Sequence, residues 1–323
     1  MNKLFKLSIL SLLAFTTFSC EDNDDVTLTP PSSNIVELAS SSNDLTSLVA
    51  ALQAADGNLV EVLSGGEYTV LAPTNQAFDN FLTENNFPSL DAVPTDLLST
   101  ILLNHVISGT VNAYNLSTAG AGYTTTNATN TDGDFLSLYF NTVSGIEFNG
   151  VSRVIDGDIA ASNGIVHVVD EVIGLPTVVT FATADSTFST LVSALTRDDL
   201  ENDYVSALSL NTTPAPYTVF APTNEAFGSL LTELELNGLS DIDSETLELT
   251  LNTHVVYGAN VREEDLSQYM PVSTEGDLLT ISLENGPQII DINNRVADII
   301  TTDVQANNGV IHVINKVMLP EQD

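Results

Sequence analysis

The chain has 323 residues, 43% of them hydrophobic, which is enough for about two globular domains that each bury a core. Its charge is strongly unbalanced, because 43 Asp and Glu face only 7 Lys and Arg, giving a formal net charge of −36. Nucleic acid recognition needs clustered basic side chains to neutralise phosphates, and the sequence has no such cluster. The composition therefore excludes nucleic-acid binding and predicts an acidic surface, whose carboxylates are oxygen ligands for divalent cations.

The first 19 residues have the pattern of a secretory signal. Lys3 and Lys6 precede an apolar run from Leu7 to Phe18. That run is shorter than the roughly 20 residues of a membrane span, and the rest of the sequence has no apolar stretch of that length. We therefore interpret residues 1–19 as a signal peptide and expect the protein to be exported.

Cys20 is the only cysteine, so the mature domains cannot form an internal disulfide. Its position directly after the signal resembles the lipobox of bacterial lipoproteins, which implies that Cys20 is diacylated and anchors the chain in a membrane. The acidic residues 21–25 resemble the signal that sends some lipoproteins to the outer face of the outer membrane. Residues 20–34, with Pro30 and Pro31, are expected to form a polar tether. The alternative is an ordinary cleavable signal whose cysteine is incidental.

Two peptides recur along the chain and divide it into two copies of one unit. Residues 68–78 read YTVLAPTNQAF and residues 217–227 read YTVFAPTNEAF, with nine of eleven positions identical. A second pair, NGIVHVVDEV at 163–172 and NGVIHVINKV at 308–317, follows in the same order. Self-similarity over so long a period predicts two similar domains.

We place the two domains at 35–175 and 178–320, joined around Gly174 to Thr177. The segment before the YTV peptide is six residues longer in the second copy than in the first. Because loops tolerate insertions at little cost, this difference predicts a surface loop at about 196–216.

Within the first copy the pattern predicts mixed α and β structure. The alternation from Tyr68 to Ala72 is typical of a half-buried strand, which Pro73 ends. Thr74 then stands where a helix N-cap is expected, and apolar residues including Phe78 follow at helical spacing.

Further elements are predicted later in each copy. Apolar residues between 97 and 102 have helical spacing. Gly133 and Gly276 precede alternating runs at 134–140 and 277–283, which we read as hairpin strands. Residues 165–169 are apolar on both faces, as in a central strand.

Residues 68–78 resemble the first signature of the fasciclin (FAS1) family, residues 163–172 resemble the second, and both copies contain both signatures. The resemblance implies an α+β fold of two tandem FAS1 domains, each a β-sheet wedge or sandwich flanked by α-helices. It also implies a role in cell adhesion or matrix binding, without catalysis. The residues that match the family motifs are expected to be structural: Tyr68, Pro73, Thr74, Asn75, Phe78, His105, Asn163, Gly164 and His167, and then Tyr217, Pro222, Thr223, Asn224, Phe227, His254, Asn308, Gly309 and His312.

Animal members of the family carry a Tyr-His pair that is linked to integrin attachment. The matching positions here are Asn104-His105 and Thr253-His254, so the tyrosine is missing from both copies. No Arg is followed by Gly, which also excludes an Arg-Gly-Asp motif. Integrin binding is therefore not carried over to this chain.

The four histidines occupy repeated positions, which raises the alternative of a metal site. A zinc site needs three or four convergent ligands, and the sequence lacks His-Glu-x-x-His and paired-cysteine spacings. His167 lies in a predicted buried strand and His105 follows an apolar helix pattern, so we interpret the histidines as hydrogen-bonded core residues. Neither a metal nor another cofactor is predicted.

Two other chemical interpretations find little support in the sequence. Residues 128–139 imitate part of an EF-hand loop, but Ala128 and Tyr139 stand where the first and twelfth ligands belong. A Gly-x-Ser-x-Gly nucleophile elbow is absent, and carboxylates are too numerous for a catalytic pair to be chosen by spacing.

These observations predict a non-enzymatic surface module. We expect it to be tethered by lipid to the cell envelope, at the exterior of the outer membrane, and to bind a surface protein or polysaccharide, with divalent cations as a possible bridge. A polysaccharide-capturing accessory lipoprotein is the first alternative, and a carboxylate-dependent hydrolase is the remote one.

Overall fold

The structure, a computed structural model, describes residues 31–321. The signal peptide, Cys20 and most of the predicted tether lie outside the described residues. From Pro31 onwards the two copies belong to a single structural unit.

The first copy combines six α-helices with seven strands. Two 3₁₀ turns, Asn43–Leu45 and Leu90–Ala92, join some of these elements. The helices are α1 Ile35–Ser41, α2 Thr46–Ala54, α3 Leu59–Gly65, α4 Asn75–Glu84, α5 Thr95–Leu103 and α6 Ala113–Ala119. The strands are β1 Tyr68–Pro73, β2 Val106–Ser108, β3 Ala121–Thr129, β4 Phe135–Asn141, β5 Glu147–Phe148, β6 Ser152–Ala161 and β7 Gly164–Val169.

The seven strands form one mixed sheet in the order β2-β1-β7-β6-β5-β4-β3. β1 and β7 are parallel, with Tyr68 opposite Gly164 and Pro73 opposite Val169, and the other neighbouring pairs are antiparallel. The two repeated peptides of each copy therefore lie side by side at the centre of the sheet. The central position predicted for residues 165–169 is confirmed.

The prediction that β1 is half-buried is wrong, because both of its faces are covered. Val70 and Ala72 pack into a core with the helices, including Leu48 and Leu98. Leu71, fully buried, faces a second core on the other side of the sheet, built from β2, β4, β5 and the segment after β7. Thr69 is a polar residue buried within this strand. Its hydroxyl donates to the Gly109 carbonyl and accepts from the Val111 amide, so its burial leaves no hydrogen-bonding group unpaired.

The second copy repeats this architecture with five α-helices and seven strands. The 3₁₀ turns are Ser186–Phe188, Leu239–Asp241 and Glu263–Asp265. The helices are α7 Val178–Ala184, α8 Ser189–Leu195, α9 Tyr204–Leu208, α10 Asn224–Glu233 and α11 Ser244–Asn252. The strands are β8 Tyr217–Pro222, β9 Val255–Tyr257, β10 Pro271–Ser273, β11 Leu278–Ser282, β12 Gln288–Ile290, β13 Val296–Ala306 and β14 Gly309–Ile314.

The second sheet has the order β10-β11-β12-β13-β14-β8-β9, with β8 parallel to β14. The α+β class and the two similar domains predicted from the sequence are confirmed. The hairpin strands predicted at 134–140 and 277–283 are present as β4 and β11.

The surface loop predicted at 196–216 is wrong in part, since it contains the helix α9. Tyr204 and Leu208 stand four residues apart, on one face of that helix, and both are buried in the core of the second copy. Two large apolar side chains at helical spacing give this short segment enough buried surface to fold.

Among the described residues, no single helix is long and apolar enough to cross a membrane, and one sharply bent pair, Val178–Ala184 with Ser186–Leu195, meets the length and composition criteria only when taken together.

Candidate functional site at the junction of the two copies

The Thr-Asn pair of the first motif organises the start of a helix in each copy. Thr74 accepts a hydrogen bond from the Ala77 amide at 3.1 Å, and Thr223 accepts one from the Ala226 amide at 3.2 Å. Both threonines have extended backbone dihedrals, which confirms the predicted N-caps. The hydroxyl of each threonine therefore serves the helix that follows it.

Each following asparagine fastens this helix to the first turn of α2 or α8 and to the 3₁₀ turn before it. Asn75 accepts from the Ser47 amide at 2.8 Å and donates to the Asn43 carbonyl at 2.8 Å. Asn224 forms the same two contacts, with Thr190 and Ser186, at 2.8 and 2.9 Å.

The other residues of the first motif serve the strand and the core. Tyr68 is half-buried, whereas Tyr217 is buried and its hydroxyl donates to the Ala207 carbonyl at 2.9 Å. Phe78 and Phe227 are both buried. Pro73 and Pro222 end β1 and β8, opposite Val169 and Ile314.

The Asn-Gly pair of the second motif closes the sheet against the first helices. Asn163 accepts from the Ile35 amide at 2.9 Å and donates to the carbonyls of Leu63 and Gly66 at 2.7 and 3.0 Å. A Cβ atom on Gly164, whose φ is +142°, would lie 1.8 Å from the carbonyl oxygen of Tyr68. Only glycine fits this close approach of two parallel strands.

The second copy repeats this arrangement. Asn308 accepts from the Val178 amide at 2.9 Å and donates to the carbonyls of Leu208 and Leu210 at 2.8 and 3.0 Å. A Cβ atom on Gly309 would lie 2.1 Å from the Tyr217 carbonyl oxygen.

His105 and His254 are buried clamps between a helix end and the segment after the last strand. The Nδ1 atom of His105 lies 2.8 Å from the Ile101 carbonyl, and its Nε2 accepts from the Ile173 amide at 2.9 Å. His254 contacts the Thr250 carbonyl at 2.7 Å and the Met318 amide at 3.0 Å in the same way. Because Nε2 accepts, the proton resides on Nδ1, and burial lowers the pKa of each imidazole to about 4.

His167 and His312 use the opposite tautomer. Nδ1 of His167 accepts from the Asp158 amide at 3.2 Å, so Nε2 donates to the Val111 carbonyl at 2.9 Å. In His312, Nδ1 accepts from the Asp303 amide at 3.5 Å, Nε2 contacts the Val261 carbonyl at 2.8 Å, and burial lowers the pKa of the imidazole. In all four histidines both ring nitrogens are therefore occupied by the main chain.

No metal centre is formed by the part of the chain that the structure describes. Within residues 31–321, no group of three or more His, Cys, Asp or Glu side chains is placed to hold an ion. The EF-hand-like stretch forms an acidic turn instead, in which Asn130 accepts from the amides of Asp132 and Asp134 at 3.0 and 2.9 Å.

The residues at the Tyr-His positions are inaccessible in both copies. Asn104 and Thr253 are fully buried, and the adjacent His105 and His254 are 2% and 3% exposed. Asn104 donates to the Gly174 carbonyl at 3.0 Å. This pair therefore holds the core together and cannot meet a macromolecule at the surface.

An aromatic cluster joins the two copies. The ring of Tyr123 in β3 packs edge-on against Phe181 of α7, with centroids 5.6 Å apart, and lies 5.2 Å from the ring of Tyr139 in β4. Its hydroxyl donates to the carboxylate of Asp185 at 3.0 Å. Burial and this carboxylate both raise the pKa of Tyr123, so the hydroxyl stays protonated and continues to donate.

Polar contacts extend the junction along β4 and β13. The hydroxyl of Ser137 accepts from the Gln305 amide at 2.9 Å. The carboxylate of Asp134 accepts hydrogen bonds from two side chains of the second copy, from the side-chain amide of Asn260 at 3.0 Å and from Nη1 of Arg262 at 2.7 Å.

A groove of about 500 Å³ follows this polar edge of the junction and opens to solvent. It is shaped by both copies and is rich in carboxylates around a single guanidinium. Its lining residues are Thr125, Asp134 and Phe135 from the first copy, and Arg262, Glu263, Glu264, Asp303 and Gln305 from the second.

The groove residues were not predicted as a site from the sequence. As a site residue, Asp134 was considered only as part of the EF-hand-like stretch, which was rejected. One signal was available, because Arg262 is among the few basic residues of a chain with 43 acids. A cation so outnumbered by acids is a natural centre for an ion-pair network. Its partners Glu264 and Asp265 are neighbours in the sequence, but Asp134 lies 128 residues away.

The motif side chains of both copies make internal hydrogen bonds, and a polar groove open to solvent is lined by both copies. These features define a two-domain protein. A model of the fasciclin domain matches residues 43–176 and again residues 186–320. The chain therefore belongs to the fasciclin domain family, and the tandem FAS1 architecture is confirmed.

Relatives of known sequence share this family. Transforming growth factor-beta-induced protein ig-h3 of Sus scrofa is 30% identical over 81% of this chain and 36% of its own length. The cell surface glycolipoprotein MPB83 of Mycobacterium bovis is 45% identical over a shorter stretch, 23% of this chain and 34% of its own length. The chain thus spans about a third of the length of these curated relatives.

A solved FAS1 domain pair from the insect cell adhesion molecule fasciclin I has the same fold. Its TM-score is 0.50 and its sequence identity 21%, and the match covers 85% of this chain and 97% of that one. At this identity the likeness shows the fold alone.

Proposed function

We propose that the protein is a non-enzymatic adhesion module that binds another surface or matrix component. The observation that carries the proposal is that the chemical groups of the repeated motifs are already hydrogen-bonded within the protein. The histidine imidazoles and the side-chain amides of the motif asparagines all contact the main chain. The chemistry that remains accessible is an acidic surface and a groove between two domains, which suits recognition. Membership of a family whose relatives include surface proteins supports the same role.

The binding role is tested by incubating the purified protein with an array of matrix proteins and surface polysaccharides, with and without calcium. We expect retention on at least one class of polymer with no product released. Retention that requires calcium would indicate bridging of carboxylates by the cation. Turnover of a glycan that disappears when one carboxylate pair is neutralised would contradict the non-enzymatic role and favour a hydrolase.

We further propose that Cys20 is lipidated and that the domains face the exterior of the outer membrane, on the tether 20–34. The support is the sequence pattern around Cys20 and the name of the mycobacterial relative, which is called a glycolipoprotein. Two acyl chains would anchor the protein stably.

The anchor is tested by Cys20→Ser in the native host, with membrane and soluble fractions compared by immunoblot. We expect the variant to leave the membrane fraction, with Ser19→Ala as a control that keeps the thiol. A variant that stays with the membrane would rule out the lipid anchor, and protease shaving of intact cells would report which side the domains face.

A further inference from the structure

We propose that the junction groove binds a basic, Lys- or Arg-bearing segment of a partner protein. The inference rests on the proposed adhesion function and names the chemistry of its partner.

The groove carries an excess of negative charge. Its lining includes one guanidinium, that of Arg262, and four carboxylates, so three negative charges are not compensated. The carboxylates belong to Asp134, Glu263, Glu264 and Asp303. Arg262 is already engaged, by Asp134 at 2.7 Å and by Glu264 and Asp265. The cation in the groove is thus neutralised by its own neighbours, and an incoming positive charge meets a net attraction.

Two of these carboxylates are held in place by contacts within the second copy. Asp303 accepts from the Glu263 amide through Oδ1 at 2.8 Å, and Glu263 accepts from the Thr302 hydroxyl through Oε2 at 2.8 Å. Within residues 31–321, the other oxygen of each carboxylate accepts no hydrogen bond. The groove therefore presents pre-positioned acceptors for an ammonium or guanidinium donor.

Phe135 supplies an aromatic face beside these acceptors. Phe135 begins β4, and its side chain lines the groove and is 58% exposed, so the ring is accessible to a ligand. A Lys or Arg side chain that lies over this ring gains a cation–π interaction while its head reaches the carboxylates. The ring belongs to the first domain and the Glu263 and Asp303 carboxylates to the second, so the packing of the two domains sets their separation.

Other ligand classes fit the groove less well. Polyanions are repelled by a chain with a formal net charge of −36. The carboxylates are spread along the groove, and no group of three or more metal-ligating side chains in residues 31–321 is placed to hold an ion. A volume of about 500 Å³ open to solvent has room for several side chains of an extended segment.

The test measures fluorescence anisotropy of a labelled peptide of alternating Lys and Gly, with a Glu-Gly peptide of equal length as the ligand control. Glu263→Gln with Glu264→Gln removes two groove charges, and Glu225→Gln with Glu245→Gln removes two charges outside it. Phe135→Ala removes the ring, and Tyr114→Ala removes an exposed ring elsewhere, 75% accessible.

We expect the Lys-Gly peptide to bind about tenfold more weakly to the groove charge variant, and about threefold more weakly to Phe135→Ala. The two control variants should stay within about twofold of the parent protein, and the Glu-Gly peptide should not bind. Thermal melting checks that each variant is folded, and the Phe135→Ala result decides the matter if the charge variant is unstable.

The inference would be overturned if the groove and control charge pairs weakened binding equally, which indicates diffuse attraction, or if the parent protein did not bind the Lys-Gly peptide. It would also be overturned by a neutral oligosaccharide whose binding is abolished by Phe135→Ala and is not displaced by the peptide. If the polymer array still shows retention, the adhesion role survives such a failure. If the array is also negative, the proposed function fails with it.

Discussion

At the residue scale, the buried histidines show how one side chain type serves two positions by choosing its tautomer. His105 and His254 carry the proton on Nδ1, whereas His167 accepts at Nδ1 from the main chain. An imidazole that both donates to and accepts from the backbone satisfies two groups that would otherwise be unpaired in the core. The histidines therefore recur in both copies because they hydrogen-bond the main chain inside the core, as the sequence predicted.

This burial makes the stability of the fold depend on pH. The pKa of His105 and of His254 falls to about 4 in the folded protein, from an ordinary value of 6.5. Below pH 6.5 these imidazoles bind protons in the unfolded chain but stay neutral in the folded protein. The free energy of unfolding therefore decreases as pH falls from about 6.5 towards 4. Between pH 7 and pH 5 each histidine should cost about 2 kcal/mol of unfolding free energy.

Urea denaturation at pH 7, 6 and 5 measures this effect, with His105→Gln as the variant. The introduced glutamine does not titrate, so the variant should be less stable at pH 7 but should lose about 2 kcal/mol less than the parent on going to pH 5. The pH 8 to 9 range is the internal control, since both the folded and the unfolded state hold neutral imidazoles there. Identical slopes in variant and parent below pH 6.5 would contradict the assignment.

At the element scale, the motifs act where one element ends and another begins. Thr74 caps α4 directly after β1, and Asn75 fastens that helix to the 3₁₀ turn before α2 and to the first turn of α2. Asn163, which directly precedes β7, contacts α1 and α3. The strand-to-helix turn and the cap followed from local sequence signals. The burial of both faces of β1 did not, because a second core forms against it from strands that are distant in sequence.

The caps give a prediction at this scale. Thr74→Ala and Thr223→Ala should each lower the unfolding free energy by about 1 kcal/mol, because a helical amide loses its acceptor. Thr→Ser at the same positions removes the methyl group and keeps the oxygen, so it isolates the hydroxyl contribution. Urea denaturation compares the pairs, and equal stabilities of the Ala and Ser variants would argue against capping.

At the scale of the whole molecule, the two domains are joined by buried groups as well as by the chain. Tyr123 inserts between Tyr139 and Phe181 and reaches Asp185, which is 9% exposed. Ser137 and Gln305, both buried, add a hydrogen bond between the sheets. Such contacts fix the groove between the domains, so recognition there would meet a preformed surface.

Tyr123→Phe tests the junction without removing the ring. The carboxylate of Asp185 loses a donor in a buried setting, so we expect a loss of about 2 kcal/mol in unfolding free energy. Tyr114→Phe is the matched control, since its side chain is 75% exposed, and should change stability by less than about 0.5 kcal/mol. Equal effects of the two substitutions in urea denaturation would show that the hydroxyl contributes nothing to the junction.

The sequence by itself determined the duplicated α+β fold, the positions of the caps and the internal roles of the histidines, because these depend on local periodicity and on repetition of the same peptides. Only the tertiary structure decided the junction and its groove. Asp134 and Arg262 are 128 residues apart, and Tyr123 and Asp185 are 62 apart. Pairs so distant leave no periodic pattern in a chain with 43 acidic residues, and only folding selects which of the acids meet the few cations.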